Sequence, residues 1–201
     1  NMSAANLTGA NMVRNGDSLP QAIRDVLNSH YIWIREDGRL GQRAELRGAD
    51  LSHIDLSSVN LSGADLCGAI LIEANLSNSL LVMSDLSSAN LQGADLQGAT
   101  LEGINFSGSD MAEINLTGAQ IGPVDLKDSK GQPTGRLWPS NLSSSKLMNA
   151  NLAGADLRSA NLGHADLSGA NLKGTDITGC NLTDASFEMD QLDAAITGED
   201  S

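Results

Sequence analysis

The sequence is poor in aromatic residues and cysteine, and each shortage excludes a class of protein. Only 2% of its 201 residues are Phe, Trp or Tyr, so the core has to be built without large rings. Cys67 and Cys180 are the only cysteines, which excludes a disulfide-rich scaffold. We expect no disulfide between them, and the count suits a reducing, cytoplasmic compartment. No apolar run approaches the length of a membrane span, and no secretory signal peptide is visible.

Basic residues are also scarce. The chain has 12 Lys and Arg against 25 Asp and Glu, which gives a net charge of −13 and a pI near 4.3. Phosphate contacts need Lys and Arg, so we expect no direct binding to nucleic acid. The acidic charge serves solubility, or it attracts a basic partner.

What the sequence does have is a five-residue repeat, which is most regular between Leu142 and Leu192. A large apolar residue returns at every fifth position, with Asn or Asp before it and a small residue, usually Ala, before that. A period of five matches neither the 3.6 of a helix nor the 2 of a strand. A square coil, in which each unit makes one side and one corner, lets every large residue and every small residue point inward. Gly, Ser and Asn at the remaining positions suit tight corners.

The repeat unit Ala-(Asn/Asp)-Leu-x-x resembles that of the pentapeptide-repeat family, and the resemblance covers residues 44–126 and 137–192. It implies an all-β solenoid, a right-handed quadrilateral β-helix with four repeats per coil. Here it implies about seven coils, roughly 34 Å tall at strand spacing, with an N-terminal helical cap or insertion. The family has many roles, so the resemblance says little about function.

Two segments precede the regular repeats. Residues 1–12 hold two isolated repeats, which form either an edge strand or the tail of a longer solenoid. Residues 13–43 are predicted to be a helical cap or insertion, with a helix over Asp17–Tyr31 that begins at a capping box of Ser18 and Gln21. This helix either covers the open end of the first coil or binds a partner.

The remaining chain is predicted as two repeat blocks separated by a loop. The first block spans residues 44–126, the second spans 141–192, and residues 193–201 form a tail or a short cap. Between the blocks, residues 127–140 break the five-residue phase and carry Pro and Gly, which indicates a protruding loop. The loop is either a tolerated insertion or a functional element, since loops that leave a regular scaffold often carry function. It is also the most basic part of the chain, and we expect its Trp138 to pin it to the coil.

Residues twenty positions apart share one face of a four-sided coil. One such column is predicted to be strongly acidic, because it reads Glu45, Asp65, Asp85, Asn105 and Asp125. Adjacent carboxylates about 4.8 Å apart repel by roughly 1 kcal/mol in water. Together with the loop, this column forms the candidate interaction surface, whose residues are Glu45, Asp65, Asp85, Asp125, Lys130, Arg136 and Trp138.

No catalytic constellation is visible. His30, His53 and His164 are scattered without metal-ligand spacing, and the glycines follow the repeat rather than a phosphate-binding loop. We therefore predict a non-enzymatic protein–protein interaction scaffold that presents flat faces and one loop, without cofactor or metal, to a protein partner that the sequence does not identify.

The alternative is an acidic DNA mimic that binds a DNA-processing enzyme such as gyrase, as the family's gyrase-protecting members imply. Those members are rich in Phe at the repeat centres, whereas this chain has only Phe106 and Phe187 there. The oligomeric state stays open, with an end-to-end homodimer as one option.

Overall fold

The computed structural model describes residues 19–128 and 130–198. It contains two helices, α1 (Gln21–Arg35) and α2 (Met189–Asp193), and two strands, β1 (Val124–Lys127) and β2 (Pro133–Trp138). Most of the remaining chain is a coil of short parallel bridges, such as Glu45 to Asp65 and Asn161 to Asn181. This is the expected right-handed, four-sided β-helix of about seven coils. The repeats in residues 1–12 and the capping residue Ser18 lie outside the described residues.

Each coil hydrogen-bonds to the next through its backbone and encloses a dry core. The amide of Leu91 donates to the carbonyl of Asp110 (2.7 Å), and the amide of Asp110 donates to the carbonyl of Ala89 (2.9 Å). Leu91 and Ala89 are almost completely buried, as the inward assignment of both positions predicts. Stacked Leu and Ala therefore fill most of the coil, and aromatic rings such as that of Phe106 are rare in its core.

The Asn or Asp before each Leu has a structural role at the corner. Its side-chain oxygen accepts a hydrogen bond from the amide two residues later, as Asn75 does from Ser77 and Asp65 does from Cys67, both at 3.0 Å. The next residue then has a left-handed backbone, with φ of 55° at Asn78 and 66° at Gly68. Because Asn and Asp carry the same acceptor oxygen, either residue supports the corner.

Helix α1 lies over the first coil. Its Leu27 and His30 are buried, and Ile23 and Val26 pack against the core. The Nδ1 of His30 accepts a hydrogen bond from the amide of Ala44 (3.0 Å). In the interior of the rod, the equivalent amide donates to a carbonyl of the same coil. The His30 ring also stacks on Trp33, with 5.5 Å between ring centroids.

The bounds of this helix differ from the predicted Asp17–Tyr31. It begins at Gln21, with Pro20 in the N-cap position and no side-chain cap among the described residues. It continues to Arg35, because nothing in the sequence stops it before Asp37 and Gly38, which have positive φ angles.

The chain leaves the coil earlier than the predicted end of the first block at residue 126. The last residue bridged in this block is Gln120, and the predicted loop 127–140 is part of a β-hairpin that begins at Val124. The physical reason is Pro123, which falls where the repeat needs a left-handed corner. Proline is locked near φ −65° and cannot adopt that conformation, so the prediction that residues 122–126 stay in the coil was wrong.

The second block also ends before its predicted limit at residue 192. The coil runs to Phe187, after which Glu188 caps α2 with a capping box to Gln191. Ile196 then returns and forms a bridge with Asp176. None of the residues of α2 is buried, so this end of the coil has a thin cover.

Candidate interaction surface

The acidic column exists over three coils and then changes character. Glu45, Asp65 and Asp85 stack in succession, and Asn105 follows. The residue above Asn105 is Asn141, not the predicted Asp125. Asp125 lies in β1 instead, paired with Leu137, so its assignment to the column was wrong, again because Pro123 ends the coil.

Two of the three carboxylates in this column, those of Asp65 and Asp85, accept hydrogen bonds. The Asp65 carboxylate accepts a hydrogen bond from Arg47 Nη2 at 2.9 Å. Burial alone would raise the pKa of Asp65, but the Cys67 amide and the Arg47 guanidinium outweigh it and hold that pKa below its ordinary value. Asp85 accepts from Ser87 N (3.0 Å) and from Asn105 Nδ2 (2.9 Å).

Above Asp85 the same column becomes a ladder of amide side chains. Each Nδ2 donates to the side-chain oxygen one coil below, from Asn181 to Asn161 (2.9 Å), from Asn161 to Asn141 (3.2 Å) and from Asn141 to Asn105 (3.4 Å). The ladder is uncharged and hydrogen-bonded to itself. This column is therefore acidic near its N-terminal end only.

The hairpin of β1 and β2 is the main departure from the regular rod. Val124 pairs with Trp138 and Leu126 pairs with Arg136, and every residue of β2 is exposed. The turn is closed by the Asp128 carboxylate, which accepts from the amides of Lys130 (2.8 Å) and Gln132 (2.9 Å). The hairpin is thus an ordered projection rather than a loose loop.

Apolar side chains hold the root of the hairpin against the coil. A Cβ built on Gly103 would lie 2.8 Å from Val124 Cγ2 and 3.3 Å from both Met83 Cγ and Trp138 Cδ1. Three side chains therefore converge over this glycine, where a larger residue would push them away. Trp138 lies beside Gly103 of the coil, but 53% of it stays exposed, as does 52% of Leu137.

The cations of the hairpin differ from most of those on the rod. Arg47, Lys146 and Arg158 each form an ion pair, with Asp65, Asp110 and Asp156 respectively. By contrast, Lys127, Lys130 and Arg136 form no ion pair with any residue in 19–128 or 130–198. The predicted sites Lys130 and Arg136 thus lie together on the hairpin, apart from the acidic column.

Sequence reasoning missed a group of carboxylates beside the root. Arg158 donates two hydrogen bonds to Asp156, at 2.9 and 2.6 Å, and lies 3.8 Å from Asp176. Glu102 is nearby, and burial, then Asp156 and Asp125, raise the pKa of its carboxyl group above the ordinary value. In the sequence, this group is indicated only by Asp156 and Asp176, which are twenty positions apart and therefore stack. The position of Glu102 relative to them depends on where the chain leaves the coil.

No group of three or more His, Cys, Asp or Glu side chains in the described part of the chain is arranged to hold a metal ion. Within the same residues, no helix has the length and apolar character that crossing a bilayer takes.

Comparison with known proteins agrees with this architecture. The family model for pentapeptide repeats matches in eight copies, over residues 44–81, 84–121 and 145–184, which is more than half of the chain. A search of curated proteins finds no match.

Three solved structures illustrate the similarity. HetL, a pentapeptide-repeat protein involved in heterocyst differentiation regulation from Nostoc sp. strain PCC 7120, is 32% identical with a TM-score of 0.38, and the match covers 80% of this chain but 64% of HetL. Rfr23 from Cyanothece 51142 is 24% identical over 86% of this chain and 95% of its own, with a TM-score of 0.33. QnrB1, a plasmid-mediated fluoroquinolone resistance protein, is 17% identical over 77% of this chain and 92% of its own, with a TM-score of 0.40. The match to the family model shows that this chain belongs to the pentapeptide-repeat family.

Proposed function

We propose that this chain is a non-enzymatic scaffold that binds a partner protein through the β1–β2 hairpin and the coil face at its root. The observation that carries the proposal is the exposure of Leu137 and Trp138 on an ordered hairpin. Trp and Arg are enriched in binding hot spots, and the hairpin exposes Trp138 two residues from Arg136. An ordered hairpin also loses little conformational freedom on binding.

The rest of the rod offers fewer specific contacts. The Asn and Asp oxygens on its sides accept corner amides, as Asn75 and Asp65 do. Several of its charges are already paired, as at Arg47 and Lys146. We therefore assign the rod the task of holding the hairpin in place.

The test is removal of the hairpin. Ser140 Oγ lies 3.2 Å from the carbonyl oxygen of Gly122, so a short Gly-Ser link between these residues would close the gap and keep both blocks. Affinity capture from the source cell should lose its partners with this variant. A matched control, Gln92→Ala with Gln97→Ala, changes two exposed side chains elsewhere on the rod and should keep them.

Circular dichroism and thermal unfolding are the measurements that check whether both variants fold. Partners that persist without the hairpin, while the rod keeps its fold, would contradict the proposal.

DNA mimicry is the weaker candidate. A phosphate-like ladder requires unbroken carboxylates, but the column contains only Glu45, Asp65 and Asp85 before the amide ladder begins, and Asp65 is paired with Arg47. A gyrase supercoiling assay tests it directly. Inhibition that disappears when Glu45→Gln, Asp65→Asn and Asp85→Asn are combined would favour mimicry over the scaffold.

We further propose a reducing, cytoplasmic compartment. It is supported by Cys67 and Cys180, which are both free thiols.

A further inference from the structure

An apolar patch lies at the root of the hairpin. We call it the root patch, and it consists of Leu80, Val82, Met83, Val124 and Trp138. Met83 is 40% exposed and Trp138 is 53% exposed, while the other three are half-buried. Because Met83, Val124 and Trp138 converge over Gly103, coil and hairpin both contribute to the patch, and Leu80 and Val82 belong to the same repeat of the coil as Met83.

The cations lie further along the same hairpin. Lys127 pairs with Pro133 in the register, three residues beyond Val124, and Lys130 lies in the turn. An extended strand rises about 3.3 Å per residue, so Lys127 is about 10 Å along the strand from the root patch, and Arg136, which pairs with Leu126, is about 7 Å from it. The carboxylates near the root are Glu102, Asp125 and Asp156, and Arg158 binds the last of these.

From this arrangement we propose that the hairpin binds a short acidic segment of its partner that carries one bulky apolar residue. The apolar residue occupies the root patch, and the acidic residues follow about three positions away, opposite Lys127, Lys130 and Arg136. The order is set by charge. Glu102 and Asp125 repel acids at the root, whereas the hairpin cations outnumber the one carboxylate at the tip, Asp128, which the amides of Lys130 and Gln132 already bind. This inference rests on the proposed function and adds the chemistry of the partner to it.

Two other anionic occupants fit less well. A nucleic acid is long and would run alongside a rod with a net charge of −13, which repels it. A second copy of this chain offers an acidic segment with an exposed apolar residue at residues 188–193, where Met189 is 74% exposed, but this segment is folded as α2 and bound to its own coil through Gln191, so it is less available than a free peptide. A short peptide touches only the hairpin and the root patch, and it avoids both costs.

The experiment selects peptides without prejudging their sequence. A random dodecapeptide library displayed on phage is panned against the full chain, with counter-selection on the triple variant Lys127→Glu, Lys130→Glu and Arg136→Glu. Selected peptides are then synthesised with a fluorescent label, and their affinity is measured by anisotropy at low and physiological salt. A dT oligonucleotide of similar length serves as the nucleic-acid competitor.

We expect enriched peptides with a net negative charge and one Trp, Phe, Leu or Met about three residues from the acids. Their affinity should fall about tenfold or more in the triple variant and with rising salt, because exposed charge pairs are screened. It should also fall in Met83→Ser, which leaves the hairpin cations in place. The variant set Glu45→Gln, Asp65→Asn and Asp85→Asn should leave the affinity unchanged.

Enrichment of neutral or basic peptides, or binding that survives the charge reversal, would overturn the inference. So would displacement of the peptide by the oligonucleotide, or self-association in sedimentation that the triple variant abolishes.

The two proposals fail separately. If cellular capture still depends on the hairpin but no acidic peptide binds, only the partner chemistry is wrong. If capture does not depend on the hairpin, the proposed function itself is wrong.

Discussion

The two ends of the coil are closed in different ways. At the N-terminal end, the helix α1 buries Leu27 and His30, and the first core residues Ala44 and Leu51 are almost inaccessible. At the C-terminal end, α2 buries none of its residues, and the core residues Leu182 and Phe187 stay half-exposed. The same repeat therefore has a sealed end and a weakly covered end.

This contrast shows that the stability of a solenoid depends on its terminal covers as well as on its repeat. Each coil contacts only its neighbours, so an end coil lacks half of its interface unless another element supplies it. Unfolding should therefore begin at the C-terminal end. If the chain forms the end-to-end homodimer that its sequence leaves open, the exposed groups for that contact lie at this end.

The largest expected difference comes from placing a charge in the core at each end. Leu51→Asp puts a carboxylate under the α1 cap without a partner, which should cost about 4 kcal/mol or more and unfold much of the rod. Leu182→Asp places the same group where it reaches water, and the rod should stay folded. Urea titration followed by circular dichroism measures both. Equal losses would mean that the C-terminal end is as well sealed as the N-terminal one.

The next prediction concerns pH at the sealed end. Burial, and then the charge of Arg43, lower the pKa of His30 from 6.5 to about 4. The unfolded chain therefore binds a proton that the folded chain excludes, so stability is full above pH 6.5 and falls by roughly 3 kcal/mol as the pH drops to about 4.

Unfolding by urea at a series of pH values tests this. The matched control is His53→Gln, which changes an exposed histidine and should keep the pH dependence. His30→Gln should remove it, and a slope that persists in His30→Gln would contradict the assignment.

At the weakly covered end, Gln191 binds α2 to the coil, together with its N-cap Glu188, which accepts from the Gly169 amide (3.1 Å), and Leu192, which packs against the core. Gln191 Nε2 donates to the carbonyls of Leu167 (2.9 Å) and Ala170 (2.6 Å). Gln191→Ala should cost about 1–2 kcal/mol and speed hydrogen exchange in the last coil far more than near α1. Gln97→Ala is the matched control. Uniform acceleration along the rod would show that the coils open together rather than from this end.

The smallest effect on stability is expected from removing the charges of the acidic column. Replacing Glu45, Asp65 and Asp85 by their amides removes the ion pair between the mostly buried Asp65 and the exposed Arg47, which should be worth about 1 kcal/mol because Arg47 stays in water. The corner bonds survive, because the amide oxygen accepts the Ser87 and Cys67 amides equally well. The melting temperature should shift by only a few degrees. A loss as large as that of Leu51→Asp would mean that charge, not the acceptor oxygen, supports the corners.

The coil was predictable because its period, its inward Leu and its inward Ala are properties of single positions. The family resemblance and the fold class were both confirmed for that reason. The exit from the coil was not predicted, since Leu126 is still in phase with the repeat. The decisive residue was Pro123, whose restricted φ conflicts with a corner that Gly or Asn fills elsewhere.

The surroundings of individual side chains were harder to predict. His30 looked like an isolated histidine, and its burial follows only from how α1 packs on Ala44. The column containing Asp65 was predicted correctly as far as Asn105 but not beyond it. Once Asp125 leaves with the hairpin, the register of every later coil depends on where the chain returns. The scaffold function and the hairpin residues stay predictions that the capture and panning experiments decide.

The return of the chain after the hairpin has a consequence for protein engineering. Asn105 and Asn141 hydrogen-bond across 36 residues, whereas Asn141 and Asn161 do so across 20, yet the ladder continues without a break. The corner at Gly122 therefore works as a graft site, since the coils on both sides do not depend on what lies between them. A foreign segment whose ends meet as Gly122 and Ser140 do should be displayed there at a fixed height along the rod, and the same tolerance lets the inserted segment change in evolution while the rod stays the same.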